Sequence, residues 1–478
     1  MINLFQESEF NTGIIKELSD FTINSKSEAY IVGGYVRDYL LNTYKDDIDI
    51  DVMVIGDAVK FAEKFAKVKQ SKLTAVYKNF GTALLQLNDF KIEFASSRIE
   101  SYHRNSRKPS VEFGSLEEDL SRRDFTINAL AVDLRNPVGI IDNYNGIDDL
   151  KSKMIRTPLE PDKTFFDDPL RIMRAFRFAS KLNFAIDHVT LSSISVNCQR
   201  LKEDEVVSQE RISNEFLLIL QSPKPSIGLN LMYLTGAMDV IFPEISKMAG
   251  IEQRKDYHHK DVFYHTLEVV DNIADLTDDV WLRFAALVHD IAKPKTKKFV
   301  DGIGWTFHGH EELGARMMKK IFERMRFPKD RLEYVEKLIR LHLRPAALAN
   351  QDATDSAIRR LAAEAGNELI DLFKLCRADI TSKNLQKVKR YASNFNFVEK
   401  RIIEVQEKDN LRNFQSPVRG EEIMSICQIE PSKLVGMLKK KIEDAILDGV
   451  IPNEYNAALE YLYLVKDEII FNYTRKIK

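Results

Sequence analysis

Three aspartates, Asp47, Asp49 and Asp51, alternate with apolar residues in the run KDDIDIDVMVIG. Side chains of a strand alternate faces, so the acids point one way while Ile48, Ile50 and Val52 enter the core. Carboxylates two residues apart sit roughly 6 to 7 Å apart at the backbone, within reach of a pair of Mg²⁺ ions about 3.5 to 4 Å apart. Just before them, Gly33 and Gly34 let the backbone approach a ligand closely, and the helix start behind them offers N–H groups to a phosphate. A DxD pattern alone reads as a solvated acidic edge strand. With the glycine pair, Arg37 and Asp38 in front of it, the stretch reads as a holder for a metal-bound triphosphate. Glu93, in FKIEFASS, is a candidate third acid if its strand lies antiparallel beside the aspartates; otherwise it is an ordinary sheet carboxylate.

Two further groups of residues carry chemistry. In FFDDPLRIMRAFRF, Asp168 and Arg171 are i and i+3, neighbours on a helical face that offers acceptors and donors to a base edge. Arg174 and Arg177 continue the interval as a basic ridge that could face phosphate; a surface salt bridge is the plain alternative for the first pair. Farther on, His265, His289-Asp290, His310, His342 and Asp379 recur on helical segments, and seven of the nine histidines fall between His258 and His342. Imidazoles and carboxylates so spaced can converge inside a helix bundle on a divalent ion. Imidazole suits a transition metal, whereas the all-carboxylate strand site suits Mg²⁺.

These groups need elements to position them. Tyr30 to Gly56 reads as strand, turn, helix, strand, preceded by an amphipathic helix within residues 1–28. Two more strands follow between Lys72 and Phe94. The stretch RIESYHRNSRKPSVEFGSLEED, with Arg98, Arg104, Arg107 and Lys108, lacks periodicity and reads as a basic loop beside a nucleotide site. After Pro158 and Pro161 the pattern is helical to the end. The 478 residues suffice for several domains, and a 44% hydrophobic, 30% charged composition is that of a soluble chain. No apolar run approaches the roughly 18 residues of a membrane span, the N-terminus has no leader pattern, and the reading is cytoplasmic. Three scattered cysteines fit reduced thiols, and a net charge of −2 leaves any RNA contact to local basic surface.

The order GGYVRDYLL followed by DIDVMVIG resembles the head of the class II tRNA nucleotidyltransferase and bacterial poly(A) polymerase family. The resemblance implies that Asp49 and Asp51 bind metal, since Gly56 ends the strand where the family's strand ends, and that Gly33, Gly34 and Arg37 support the triphosphate. RRDFTINAL is similar to the family's second motif, which implies that Arg123, Asp124 and Asn128 face the incoming nucleotide, while Asp142 and Gly146 of the following connector are structural. Asp167, Asp168 and Arg171 stand where the family has EDxxR, the amino-acid template that reads CTP or ATP, with Asp167 replacing the family's glutamate. QERISNEF resembles the neck motif, Glu210 and Arg211 steadying the template helix, and Pro417 to Glu454 resembles a tail segment.

The histidine set is similar to the HD phosphohydrolase superfamily at His265, His289, Asp290 and Asp379, with His310 and His342 as extra ligands. The whole implies an α+β protein: a nucleotidyltransferase head with a small mixed sheet (1–150), then all-α neck (151–245), HD domain (246–384) and tail (385–478). The expected function is CCA addition to the tRNA 3′ end from CTP and ATP, with Mg²⁺ at the head and a divalent transition metal at the HD site. The partners are tRNA and the two nucleotides, without a membrane, and the oligomeric state is left open. Poly(A) synthesis or A-only addition uses the same motifs; an HD hydrolase with a vestigial head and a non-enzymatic RNA-binding scaffold are the rivals of other classes.

Overall fold

Acids alternating with β-branched residues put one strand at the middle of a half-open sheet. The computed structural model describes residues 13–43, 48–101, 110–203, 206–251, 261–302, 304–349, 354–382, 384–409 and 416–477. Its contacts divide the chain into two units, Met1–Ser246 and Lys247–Lys478. The expected head and neck lie in the first unit and the HD and tail regions in the second.

Up to residue 150 the described strands are β1 (Ala29–Val32), β2 (Ile48–Val54), β3 (Ala75–Tyr77), β4 (Thr82–Leu87), β5 (Phe90–Ser96), β6 (Arg98–Ser101), β7 (Ser110–Phe113), β8 (Leu130–Asp133) and β9 (Ile141–Asp142). Seven of them form one mixed sheet in the order β3-β4-β5-β2-β1-β8-β9. β2 runs antiparallel to β1 but parallel to β5, with Asp49 opposite Lys91 and Asp51 opposite Glu93. This corrects the antiparallel arrangement expected for Glu93: the helix Ala58–Val68 and the β3–β4 pair intervene between β2 and β5 and return the chain in the same direction.

Asp57 caps that helix by accepting from the Lys60 N–H at 3.0 Å. Its Phe61 and Phe65 pack at tilted angles on Phe94 of β5. Each such ring contributes about 2 to 3 kcal/mol through burial. Ile50 and Val52 are buried as the alternation requires, which leaves the acids to the other face.

The expected basic loop is in part regular: β6 and β7 pair as a hairpin, Arg98 opposite Phe113. A hairpin was hidden because its strands are polar and only four residues each. Arg104, Arg107, Lys108 and Asp47 lie outside the described residues.

The neck is helical around Leu170–Leu182, Gln209–Leu220 and Pro225–Leu234. Gly228 lets two of these helices meet, since a Cβ there would lie 2.4 Å from Ser180 Oγ and 2.8 Å from the Phe176 carbonyl oxygen. A short parallel ladder, β10 (Met154–Ile155) with β11 (Ala185–Ile186), departs from the all-helical expectation.

The second unit is a helix bundle built from Val262–Ala274, Val280–Val288, His310–Met325, Leu332–Leu341 and Leu369–Ala378. Trp281, Phe284, Phe322 and Phe327 interlock in its core. It also departs from all-helical in one hairpin, β12 (Lys298–Val300) with β13 (Gly304–Thr306). The tail helices Gly420–Cys427, Lys433–Leu447 and Tyr455–Ile477 close around Ile423, Leu438, Ile442 and Leu462. Among the described residues no helix is long and apolar enough to cross a membrane.

Candidate functional site

The sheet register assembles the first site. Val32, the last residue of β1, is opposite Asp51, so the chain leaves the sheet at Gly33 beside that carboxylate. Gly33 has φ 76°, a conformation that favours glycine. A Cβ there would lie 2.7 Å from Arg123 Nη1 and 3.6 Å from Asp51 Oδ2, so a side chain would push the Arg123 guanidinium aside. Gly33, Asp51, Arg123 and the neighbouring Glu93 thus share one crevice on the open sheet face. Asp49 is the more outlying acid and ion-pairs with Lys91 at 3.2 Å.

Asp51 is exposed as a residue, yet burial of its carboxyl group raises it above the usual range. Arg123 opposes that rise and Asp49 adds to it. A carboxylate held at such a cost, beside two other acids, has the donor chemistry to hold a hard divalent cation.

Behind the crevice lies a buried network. Asp124 accepts from Asn128 Nδ2 at 2.9 Å and from Arg174 Nε at 2.7 Å, and Asn128 Oδ1 accepts from Arg37 Nη1 at 2.6 Å. Burial raises the Asp124 carboxyl, but the Arg174 charge and the Asn128 hydrogen bond outweigh it and hold it below the usual range. Arg177 donates to Glu215 at 2.6 Å, and Glu215 is also 4.0 Å from Arg174.

These contacts alter the sequence expectations. Arg37, only 4% exposed, bonds Asn128 and Asp38 and stacks on Phe178, so it supports the site from behind instead of lining it. Asp124 and Asn128 are likewise 7% and 5% exposed. The basic ridge of Arg174 and Arg177 faces protein carboxylates. Glu215, which joins both arginines, was missed; the signal was an acid among Ile212, Phe216 and Ile219 on the buried face of its helix.

The template pair is also rearranged. Asp168 is not on the helix face with Arg171: the helix begins at Leu170, and Asp168 is extended at φ −140° and ψ 97°. The cause is Pro169, which disfavours helical backbone in the residue before it. Asp168 instead caps the helix, Oδ1 accepting from the Leu170 N–H at 3.1 Å, with Arg211 3.9 Å from its Oδ2. Arg171 donates to the carbonyl oxygens of Arg122 at 2.6 Å and Thr164 at 3.4 Å. Both still gather at the same helix end. Asp142 receives the N–H groups of Gly146 and Ile147 at 2.8 and 2.9 Å, and a Cβ on Gly146 would meet the Thr126 carbonyl oxygen at 2.3 Å, a structural arrangement.

In the second unit the predicted ligands converge as two groups, His265 with His289 and Asp379, and Asp290 with His310 and His342, the ligand atoms of each within 4.8 Å. Nδ1 of His289, His310 and His342 lies 2.8, 2.7 and 2.6 Å from the carbonyl oxygens of Ala286, Phe307 and Ile339. A carbonyl only accepts, so each Nδ1 donates and each Nε2 is left to coordinate. Those three Nε2 atoms are buried without a hydrogen-bond partner. Asp290 Oδ1 lies 3.3 Å from His310 Nε2 and Asp379 Oδ1 2.9 Å from His265 Nε2. Buried acceptors aimed at one another cost stability unless a cation sits among them, so the set fits divalent metal.

Burial lowers the His289 imidazole, yet with no cation among the ligands the Asp290 and Asp379 charges prevail and raise it, while burial beside His289 takes His342 down to about 4; a divalent ion would supply that positive charge in place of the proton on His289 Nε2. Two partners escaped the sequence reading: Lys293, 2.6 Å from Asp290 Oδ2, and Thr381, 2.9 Å from His265 Nδ1. His308, two residues before His310, is exposed.

Comparison with known proteins bears on both sites. Residues 29–156 match the Poly A polymerase head domain, 183–248 the probable RNA and SrmB-binding site of polymerase A, and 262–383 the HD domain; head and HD proteins of these kinds use divalent metals. The chain is 33% identical over 324 residues to the multifunctional CCA protein of Neisseria meningitidis, covering 66% of this chain and 72% of that protein. It is 37% identical over 277 residues to the A-adding tRNA nucleotidyltransferase of Aquifex aeolicus, covering 57% of this chain but 32% of that protein. A CC-adding tRNA nucleotidyltransferase of Thermus thermophilus is 28% identical over 450 residues, 93% and 95% of the two chains. Among solved structures, a tRNA nucleotidyltransferase complexed with a primer tRNA and an incoming ATP analog has TM-score 0.57 at 26% identity, covering 80% of this chain and 99% of that one. The Bacillus stearothermophilus CCA-adding enzyme with CTP has TM-score 0.65 at 20% identity, 99% and 100% covered, a likeness of fold.

Proposed function

The chain belongs to the family of tRNA nucleotidyltransferases with a poly(A) polymerase head, and from that premise we propose that it adds CCA to the 3′ end of tRNA from CTP and ATP. The observation that carries this reading is the crevice where Gly33, Asp51, Glu93 and Arg123 meet, next to the helix end that bears Asp168 and Arg171.

Asp49 and Asp51, with Glu93 as third acid, would hold Mg²⁺, which supplies activation of the RNA 3′-hydroxyl and charge neutralisation on the departing pyrophosphate. Gly33 and Gly34 keep side chains out of the triphosphate's path, and Arg123 offers it a guanidinium. Arg37 and Asn128 brace that wall, while Arg174 and Arg177 hold the template helix through Asp124 and Glu215. Asp168 and Arg171 would present acceptor and donor to the base. The HD set would hold a transition metal and hydrolyse a phosphoester as a second activity.

Purified protein given tRNAs ending before CCA, after the first C and after CC, with each NTP in turn, tests the reading. Incorporation of C, C and A in order is expected. The A-adding and CC-adding relatives support a second reading, in which one half of the sequence is added; incorporation on only one class of end would establish it. Long A tails would mean poly(A) synthesis, and no incorporation on any end would leave the HD site as the activity.

A further inference from the structure

Between the ligands Asp290 and His310 the chain makes an excursion that metal binding does not require. It runs through Lys293–Thr296, then β12 and β13, and comes back through Phe307. The hairpin carries large aromatic side chains in the open: Phe299 is 49% exposed and Trp305 36% exposed. They are cross-strand partners on one face, their rings edge to face with centroids 5.2 Å apart. Lys297 Nζ lies 4.3 Å from the centre of the Trp305 ring, and Lys295 and Lys298 are close by in the chain.

The pair is also tied to the metal ligands. The Phe307 carbonyl, two residues beyond Trp305, sets the orientation of the His310 ring at 2.7 Å, and Lys293 Nζ lies both 5.6 Å from the Phe307 ring and 2.6 Å from Asp290 Oδ2. Two residues of chain span at most about 7 Å. Exposed apolar rings in a lysine-rich hairpin suit a ligand with a flat apolar face and negative charge, and a hairpin ending at phosphoester-cleaving ligands suits one whose charge is phosphate.

We propose that the Phe299–Trp305 hairpin is a stacking platform for an unpaired nucleobase, which places that nucleotide's phosphate at the HD ligands, with Lys297 as its countercharge. The inference rests on the reading of the HD set as a phosphohydrolase of nucleotides and adds where on this chain the substrate's base is held. Stacking on an aromatic side chain tolerates every base, so the platform selects for a base without choosing among bases.

The chain has two tryptophans, and Trp281 is buried in the bundle core, so a Trp281→Phe variant leaves Trp305 as the sole indole reporter. The experiment uses the full chain with Mn²⁺ and two probes, 2′,3′-cyclic AMP and the base-free glycerol 2-phosphate. Expected are quenching of Trp305 fluorescence by the cyclic nucleotide and not by glycerol phosphate, and a KM for the nucleotide raised roughly tenfold by Trp305→Ala or Phe299→Ala, with glycerol phosphate hydrolysis unchanged. Circular dichroism and CCA addition confirm that the variants fold. Nucleotide hydrolysis with unaltered KM in both variants and no quenching would overturn the platform while leaving the hydrolase in place. Quenching without hydrolysis of either probe would keep the platform and remove the hydrolase; neither quenching nor hydrolysis would remove both.

Discussion

Asp49 and Asp51 stand on an open sheet face with the core behind them, whereas His289, Asp290, His310 and His342 are each at most 5% exposed at the centre of a helix bundle. The sheet acids lie on the face of β2 away from its buried core residues Ile50 and Val52, so their site and their fold are separable. The bundle ligands are placed otherwise: three imidazole nitrogens face inward without partners, and the ion that would satisfy them would also hold the bundle together. The two regions therefore differ in what metal does for them, chemistry alone in one and chemistry with stability in the other.

The largest expected effect tests the separability of the head. Asp49→Ala and Asp51→Ala each lower nucleotide incorporation by at least about a thousandfold, as loss of several kcal/mol of transition-state stabilisation requires. The melting temperature should not fall, because the core side of β2 is untouched. Near wild-type incorporation by either variant, with Asp47→Ala inactive instead, would move the metal pair two residues back along the strand.

Next in size is the network behind the crevice, where the head does resemble the bundle. Asp124→Asn or Glu215→Gln leaves a guanidinium without its buried carboxylate and should cost about 3 kcal/mol of stability in the first unit. For Asp124 a pH dependence follows. Its folded-state pKa is lowered, so its contribution is complete above the unfolded value of about 3.9 and is lost as pH falls through the folded value. Denaturant melts of Asp124→Asn should accordingly lose less stability below about pH 4 than wild type; parallel acid profiles would show that Arg174 does not sense this carboxylate.

Metal itself gives the third test. At a hundred times its dissociation constant a bound ion stabilises by about 2.7 kcal/mol, which in a domain of this size raises the melting temperature by roughly 5 to 10 °C. Mn²⁺ should shift the unfolding of the second unit in this way, and His289→Ala with Asp290→Ala should abolish the shift while CCA addition survives. An identical shift in the double variant would place the ion elsewhere.

The smallest expected effect concerns selection. Asp168→Ala or Arg171→Ala should reduce discrimination among nucleotides by roughly tenfold to a hundredfold while transfer to a correct end slows less. An equal loss for all four NTPs would make the pair a fastener between helix end and Arg122, which their present hydrogen bonds also allow.

How much of this was legible varies with the range of the interaction. The alternation that turns Asp49 and Asp51 outward is a property of one strand, and the glycine that the crevice demands precedes it by sixteen and eighteen residues in the same motif. The HD ligands were legible because their residue types are rare together and recur in order. The arginines were not. An exposed phosphate-binding guanidinium and a buried one satisfied by protein look the same in sequence, and the partners of Arg37, Arg174 and Arg177 lie 91, 50 and 38 residues away.

The sequence by itself determined the local periodicities and the ligand inventory: where strands and helices run, which acids share a face, and which histidines could meet. Tertiary structure alone decided direction and partnership. The crossover through Ala58–Val68 made β5 parallel and put Glu93 beside Asp51, and Glu215 turned two arginines inward. The reason is common to all of these cases: spacing encodes geometry within one element, whereas the partner of a polar side chain is set by which distant elements pack together.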